Sequence, residues 1–320
     1  MQNTRMNSTE RNLSPTELKE LFTNSDPVGV WNKTNAILQN INPDIELTGI
    51  RSVFDDVLRL FAGSFPGYSR IKTPYHDLTH TLDVTICAVR ILHGMHLSGT
   101  HLNDEEIALV LVAAMLHDVG YAQKSDEDEG SGAQHTRTHV TRGIAFMEEN
   151  LSQWNLPSEW SAPLALIMRC TELGHNLPAG GFPNPRTRML GQIVGSADMV
   201  GQMADRIYLE KLLFLFLEFK EADLGNFLNV QDLLKKTRAF YELIQKTLDD
   251  DLGGVYRRLN YHFKEWLGID RNFYLESVER NILYLDKIVT LNEPEWLSML
   301  KRNGIVNSLQ QTSQGISSTS

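Results

Sequence analysis

The stretch Asn103–Tyr121 reads NDEEIALVLVAAMLHDVGY. Asn103 with Glu106 three residues later makes a capping-box pattern, the signature of a helix start. Everything from Ile107 to Leu116 is then apolar. A helix that is apolar on every side has no face to give to water, so it must lie among other helices. The run is about half the length of a membrane span, which makes it a core helix. At its end stand His117 and Asp118. An imidazole and a carboxylate at the end of the most hydrophobic helix are costly to desolvate unless they are paired or bind a metal.

The chain on either side has the same helical punctuation, and nothing reads as a run of strands. Ser14-Pro15-Thr16-Glu17 is a capping box with proline at the first helical position. Pro43-Asp44 is expected to open a helix with apolar residues Ile50, Val53, Phe54, Val57, Leu58 and Phe61 at a 3.6-residue period, closed by Gly63. Further helical stretches fall at 78–95, 104–117, 136–151, 159–172, 187–204, 205–221, 230–249, 253–267, 271–289 and 294–302. The pattern predicts an all-α chain. Residues 14–304 read as one domain, with a core over about 70–205 and a helical extension over about 206–304. Segments 1–13 and 305–320 read as disordered tails. Two Gly-, Pro- or acid-rich segments, 122–134 and 174–186, read as long loops.

Of 320 residues, 40 are acidic and 30 basic, giving a net charge of −10, and 42% are hydrophobic. These are the proportions of a folded globular chain. The negative excess, with no long Lys/Arg run, argues against nucleic acid as a partner. With no apolar run long enough to span a membrane and no hydrophobic signal region at the start, the expectation is a cytoplasmic protein without a membrane partner. Cys87 and Cys170 sit in apolar helical patterns and read as buried thiols of a reducing compartment.

A second polar cluster lies at Pro74-Tyr75-His76-Asp77-Leu78-Thr79-His80-Thr81-Leu82-Asp83-Val84. On a helix, residues four apart share a face, so His76, His80 and then Asp83 would form one stripe able to hold a metal. The pattern departs from the zincin His-Glu-x-x-His because Asp77 is one methylene shorter than the catalytic Glu, which argues against a metallopeptidase. Taken with His117-Asp118, the stripe predicts a metal site.

These two motifs resemble those of the HD-domain superfamily of metal-dependent phosphohydrolases. Within it, Pro74–Val84 is similar to the signature Pro-Tyr-His-Asn-x-x-His-Ala-x-Asp-Val of class I 3′,5′-cyclic nucleotide phosphodiesterases. Pro74, Tyr75, His76, His80, Asp83 and Val84 match, while Asp77 replaces Asn and Thr81 replaces Ala. The resemblance covers roughly residues 70–200 and implies a helical bundle around a binuclear metal site. It implies His80, His117, Asp118 and Asp198 as metal ligands, with Asp118 bridging two ions and His76 as the general acid. Nearby carboxylates such as Asp83 would favour protonated His76. The cofactors would be two divalent cations, with Zn, Mg, Mn and Fe all compatible with mixed His/Asp ligation.

The chain departs from that class where Gly120-Tyr121 stands in place of a second histidine. There His139, four residues before Gly143, resembles the second-metal ligand of bacterial HD-domain proteins, among them those that cleave cyclic di-GMP. His135, on the same expected helical face, is its alternative, and His175 in the Gly/Pro-rich loop is a further candidate ligand. Phe227, Phe240 and Gln245 are candidates to hold a base but read first as packing residues. The expected partner is a small phosphate ester, a cyclic nucleotide first, with a homodimer allowed for. Two other functions fit the motifs: hydrolysis of another nucleotide, phosphomonoester or cyclic dinucleotide, and an HD-fold di-iron oxygenase using His80, His117, Asp118, His139, His175 and Asp198.

Overall fold

The helix that carries the first motif begins where Asp77, in extended backbone, accepts a hydrogen bond from the amide of His80 (2.9 Å). That cap satisfies one of the amides orphaned at a helix start. The computed structural model describes residues 12–127, 130–172, 181–225, 227–300 and 304–306. In it α1 (Pro15–Leu21), α2 (Pro27–Ile41) and α3 (Thr48–Ala62) lead to α4 (Leu78–Leu97) and α5 (Asp104–Leu116). After them come α6 (His139–Asn150), α7 (Ser161–Met168), α8 (Pro185–Ala204) and α9 (Tyr208–Glu221). The order ends with α10 (Val230–Lys246), α11 (Leu259–Leu267), α12 (Phe273–Ile288) and α13 (Glu293–Met299). The chain is all-α: among the described residues no strand forms, and the single β-bridge pairs Tyr68 with Lys124.

Helix α4 is the axis of the bundle, touching α2, α5, α8 and α11, and every side chain from His80 to Met95 is buried. Helix α5 is buried from Ile107 to Leu116, as its all-round apolar pattern requires. The capping boxes at Ser14 and Asn103 form as read, with both reciprocal hydrogen bonds present.

Three boundaries differ from the sequence reading. Helix α2 was not anticipated, although Asp26 caps it through two amides and Pro27 takes its first position. Helix α3 begins at Thr48 rather than at Pro43-Asp44, and Gly63 closes it in the left-handed region (φ 75°) as expected. His135 lies in a separate 3-10 turn, Ala133–His135, and so does not share the face of α6. No helix among the described residues is long and apolar enough to cross a membrane.

Candidate metal centre

Three segments converge at the start of α4. His80 comes from the first turn of α4, His117 and Asp118 from the end of α5, and Asp198 from the middle of α8. His80, His117, Asp118 and Asp198 are all buried. The Nε2 atoms of His80 and His117 face each other at 3.2 Å. Asp118 Oδ2 lies 3.2 Å from the first and 3.1 Å from the second, and Asp198 Oδ1 lies 3.2 Å and 3.8 Å from them. His80, His117 and Asp118 form the one group, among the described residues, whose donor atoms converge closely enough to hold a metal ion.

The orientation of each donor is fixed from behind. His117 donates Nδ1–H to the carbonyl of Ala114 (2.9 Å), leaving Nε2 as the coordinating nitrogen. Gln202 donates to Asp198 Oδ1 (3.2 Å) and in turn accepts the hydroxyl of Tyr75 (2.5 Å). Asp118 Oδ2 is buried and receives no hydrogen bond from the described residues. An orphaned carboxylate oxygen facing two imidazole nitrogens is costly alone and well suited to a divalent cation. Two nitrogens and two oxygens are donors that Zn, Mn and Fe accept.

The other oxygen of Asp118 faces a third imidazole. His139 Nε2 lies 3.5 Å from Asp118 Oδ1, and His139 donates Nδ1–H to the carbonyl of Thr136 (2.7 Å). Burial holds the pKa of His139 below its ordinary value, so its Nε2 carries a lone pair. His135 has no such position; the charges around it are those of Arg142, Glu127 and Glu221. His175 lies outside the described residues, and with it one member of the six-residue di-iron set.

Helix α6 can bring His139 this close because residue 120 is glycine. A Cβ there would stand 1.8 Å from the carbonyl oxygen of His139 and 2.7 Å from the nitrogen of Gly143. Arg142 clamps the same turn, donating to the carbonyls of Gly120 (2.9 Å) and Ala122 (2.7 Å) while pairing with Glu127 (2.8 Å). Glu127 belongs to the acidic run that read as a solvated loop.

Burial alone would raise the Asp118 carboxyl, but the nearby imidazoles of His117, His76 and His80 hold it well below the carboxylate range. Burial likewise lowers His80, and Asp118 and Asp198 overcome it, raising His80 to about 10. Burial lowers His117 as well, and the charge of Asp118 overcomes it, raising its pKa above the ordinary histidine value.

His76 stands beside the donors. Its Nδ1 meets Glu218 Oε2 at 2.6 Å, and Glu218 also accepts the amides of Tyr75 (2.6 Å) and His76 (3.3 Å). The charge of Glu218 outweighs the burial that would lower His76 and raises its pKa above the ordinary histidine value. The acid that faces His76 is therefore Glu218 of α9 and not Asp83, whose carboxyl accepts from Asn24 (2.7 Å) and shares a buried network with Asp205 and Lys211. Burial, followed by the charge of Asp205, pushes the Asp83 carboxyl up to about 7. Tyr121 stacks on His76 (4.7 Å) and on His139 (4.6 Å), a ring where the phosphodiesterase pattern has a histidine.

Glu218, Gln202 and Arg142 were not found from sequence. The available signal for Glu218 was a lone acid inside the apolar run Leu212–Phe219. Of the residues considered for holding a base, Phe227 stacks on Phe219 (5.6 Å) while Phe240 and Gln245 are exposed on α10.

A family model described as Npun_R2479-like matches residues 124–261, so the chain is similar to that family over this stretch. The matched stretch takes in His139, Asp198 and Glu218 and leaves out His76, His80, His117 and Asp118. No curated protein matches the chain.

Proposed function

We propose that this protein is a metal-dependent phosphohydrolase that opens the cyclic phosphate of a 3′,5′-cyclic nucleotide to the 5′-monophosphate. The observation that carries the reading is a protonatable His76, held by Glu218, next to buried donors grouped around both oxygens of Asp118. His80, His117, Asp198 and Asp118 Oδ2 would hold one divalent cation, and His139 with Asp118 Oδ1 would help hold a second. Such a pair of cations supplies Lewis-acid activation of water and neutralises phosphate charge, which a chain of net charge −10 otherwise repels.

The residues do the rest. Glu218 fixes the His76 ring through Nδ1 and keeps it charged, which leaves Nε2–H for the substrate. Water adds to phosphorus as the P–O3′ bond breaks, the His76 Nε2 proton passes to the departing O3′, and the proton lost by the water restores His76 to its charged form. Glu218 is itself fixed by the two backbone amides of the same turn, so the acid is aligned before substrate arrives.

A second reading within the same chemistry rests on Tyr121 and His139. This is the ligand arrangement resembling bacterial HD proteins, and it supports hydrolysis of a cyclic dinucleotide or another phosphoester. The test is metal analysis of the purified protein followed by a hydrolysis panel with and without chelator: cyclic AMP, cyclic GMP, cyclic di-GMP, nucleoside phosphates and p-nitrophenyl phosphate. Chelator-sensitive opening of a cyclic mononucleotide is expected. Cleavage of the dinucleotide alone would favour the second reading, and iron with oxygen consumption would replace both by the oxygenase.

A further inference from the structure

We infer that Tyr75 is a positioning residue that ties the ligands of the first cation to the proton donor, acting on the cation through Gln202 and Asp198. The inference rests on the metal centre of the proposed function and not on its substrate.

The chain of contacts can run in one direction only. Gln202 follows Asp198 by one turn of α8, and its side-chain nitrogen lies 3.2 Å from both the backbone carbonyl and the Oδ1 of Asp198. A carbonyl and a carboxylate oxygen accept, so the amide of Gln202 must turn its two N–H bonds towards them. Its Oε1 is then left for Tyr75, whose hydroxyl donates to it at 2.5 Å across 127 residues of sequence. Tyr75 is buried, and a hydroxyl held out of water keeps the acceptor it has.

This relay sets what Asp198 can give. A carboxylate oxygen carries two lone pairs. On Oδ1 the Gln202 amide takes one, which leaves one for a cation on the side of His80 and His117, whose Nε2 atoms lie at 3.2 and 3.8 Å. Oδ1 therefore serves a single cation, while Asp118 Oδ2 receives no hydrogen bond from the described residues and keeps its lone pairs. The other end of Tyr75 holds the acid. Its backbone amide donates to Glu218 Oε1 (2.6 Å), and the second oxygen of that carboxylate meets His76 Nδ1 (2.6 Å). One buried residue thus joins a ligand on α8, by its hydroxyl, to the group on α9 that fixes the proton donor, by its amide. Tyr75 acts as a strut between cation and acid.

Zn(II) titration of the metal-free full chain, in competition with a chromophoric chelator, tests this. Tyr75→Phe removes the hydroxyl and keeps the ring; Gln202→Leu removes the amide. We expect each variant to bind Zn(II) about tenfold more weakly than the parent, the usual cost of losing a group that orients a ligand from behind. The double variant should match Gln202→Leu, because without the amide the hydroxyl has nothing to hold. A merely structural role would lower the melting temperature of the metal-free variants and leave their Zn(II) affinity at the parent's value. The inference fails on that result, on losses that multiply in the double variant, or on a parent that binds no Zn(II). A hydrolysis panel without activity, beside affinities that behave as expected, would strike the proposed substrate and uphold the strut, since the titration reads the cation alone.

Discussion

At the scale of single residues, the side chains that meet at the candidate metal centre were legible because each is a polar side chain in the wrong company. His117 and Asp118 end an apolar helix, and Asp198 stands among small apolar neighbours. The acid behind His76 was not, because Glu218 lies 142 residues away in sequence and meets it only when α9 folds back. Two predictions belong here. His117→Ala and Asp118→Ala should each lose bound metal and hydrolysis together, checked by metal analysis and rate; full retention of metal in either would make the doublet structural. His76→Asn should keep its metal and lower kcat by about 10²–10⁴, with a smaller loss on p-nitrophenyl esters, whose leaving oxygen needs no proton. Glu218→Gln should shift the same way. Should His76→Asn instead raise KM at constant kcat, His76 binds substrate and does not donate a proton.

At the scale of elements, helix positions followed the periodicity where it was strong, and ends failed where turns of other types intervene. His135 looked like a partner of His139 because a continuous helix would align them, yet a 3-10 turn precedes α6 and turns it aside. The contact between α6 and the turn after α5 depends on Gly120. Gly120→Ala must move backbone, since the new Cβ meets a carbonyl oxygen, so we expect a loss of about 2–3 kcal/mol in denaturant unfolding and a weakened second cation. Unchanged stability would mean that α6 yields freely. The contact of α4 with α11 includes the buried pair His93–His262, and burial, then Arg90, holds His262 well below 6.5. A histidine with a depressed folded-state pKa is neutral in the fold and charged in the unfolded chain below its ordinary value. Its share of stability is thus full above about pH 6.5 and falls by up to about 1.4 kcal/mol per unit below it. Denaturant midpoints at pH 7.5 and 5.5 should differ more for the parent than for His262→Gln.

At the scale of the whole molecule, the all-α architecture was readable, since helix punctuation recurs along the chain and no alternating pattern competes with it. The division into a core and a C-terminal extension says less about function, because α9, in the extension, supplies Glu218 to a histidine of the core. A cation held by His80, His117, Asp118 and Asp198 would tie α4, α5 and α8 together and so stabilise the entire bundle. Excess Mn or Zn should raise the melting temperature of chelator-treated protein, by about 4 kcal/mol in stability at a thousandfold excess over Kd. A melting temperature indifferent to metal would count against a preformed centre.

The position of Glu218 also sets an order of events during synthesis. The four donors of the first position are complete once Asp198 has left the ribosome, and Glu218 follows twenty residues later (218 − 198). On the proposed mechanism a nascent chain would acquire its cation before it could transfer a proton. Ribosome-bound chains arrested before α9 emerges would be expected to retain metal while remaining inactive, a natural separation of loading from turnover.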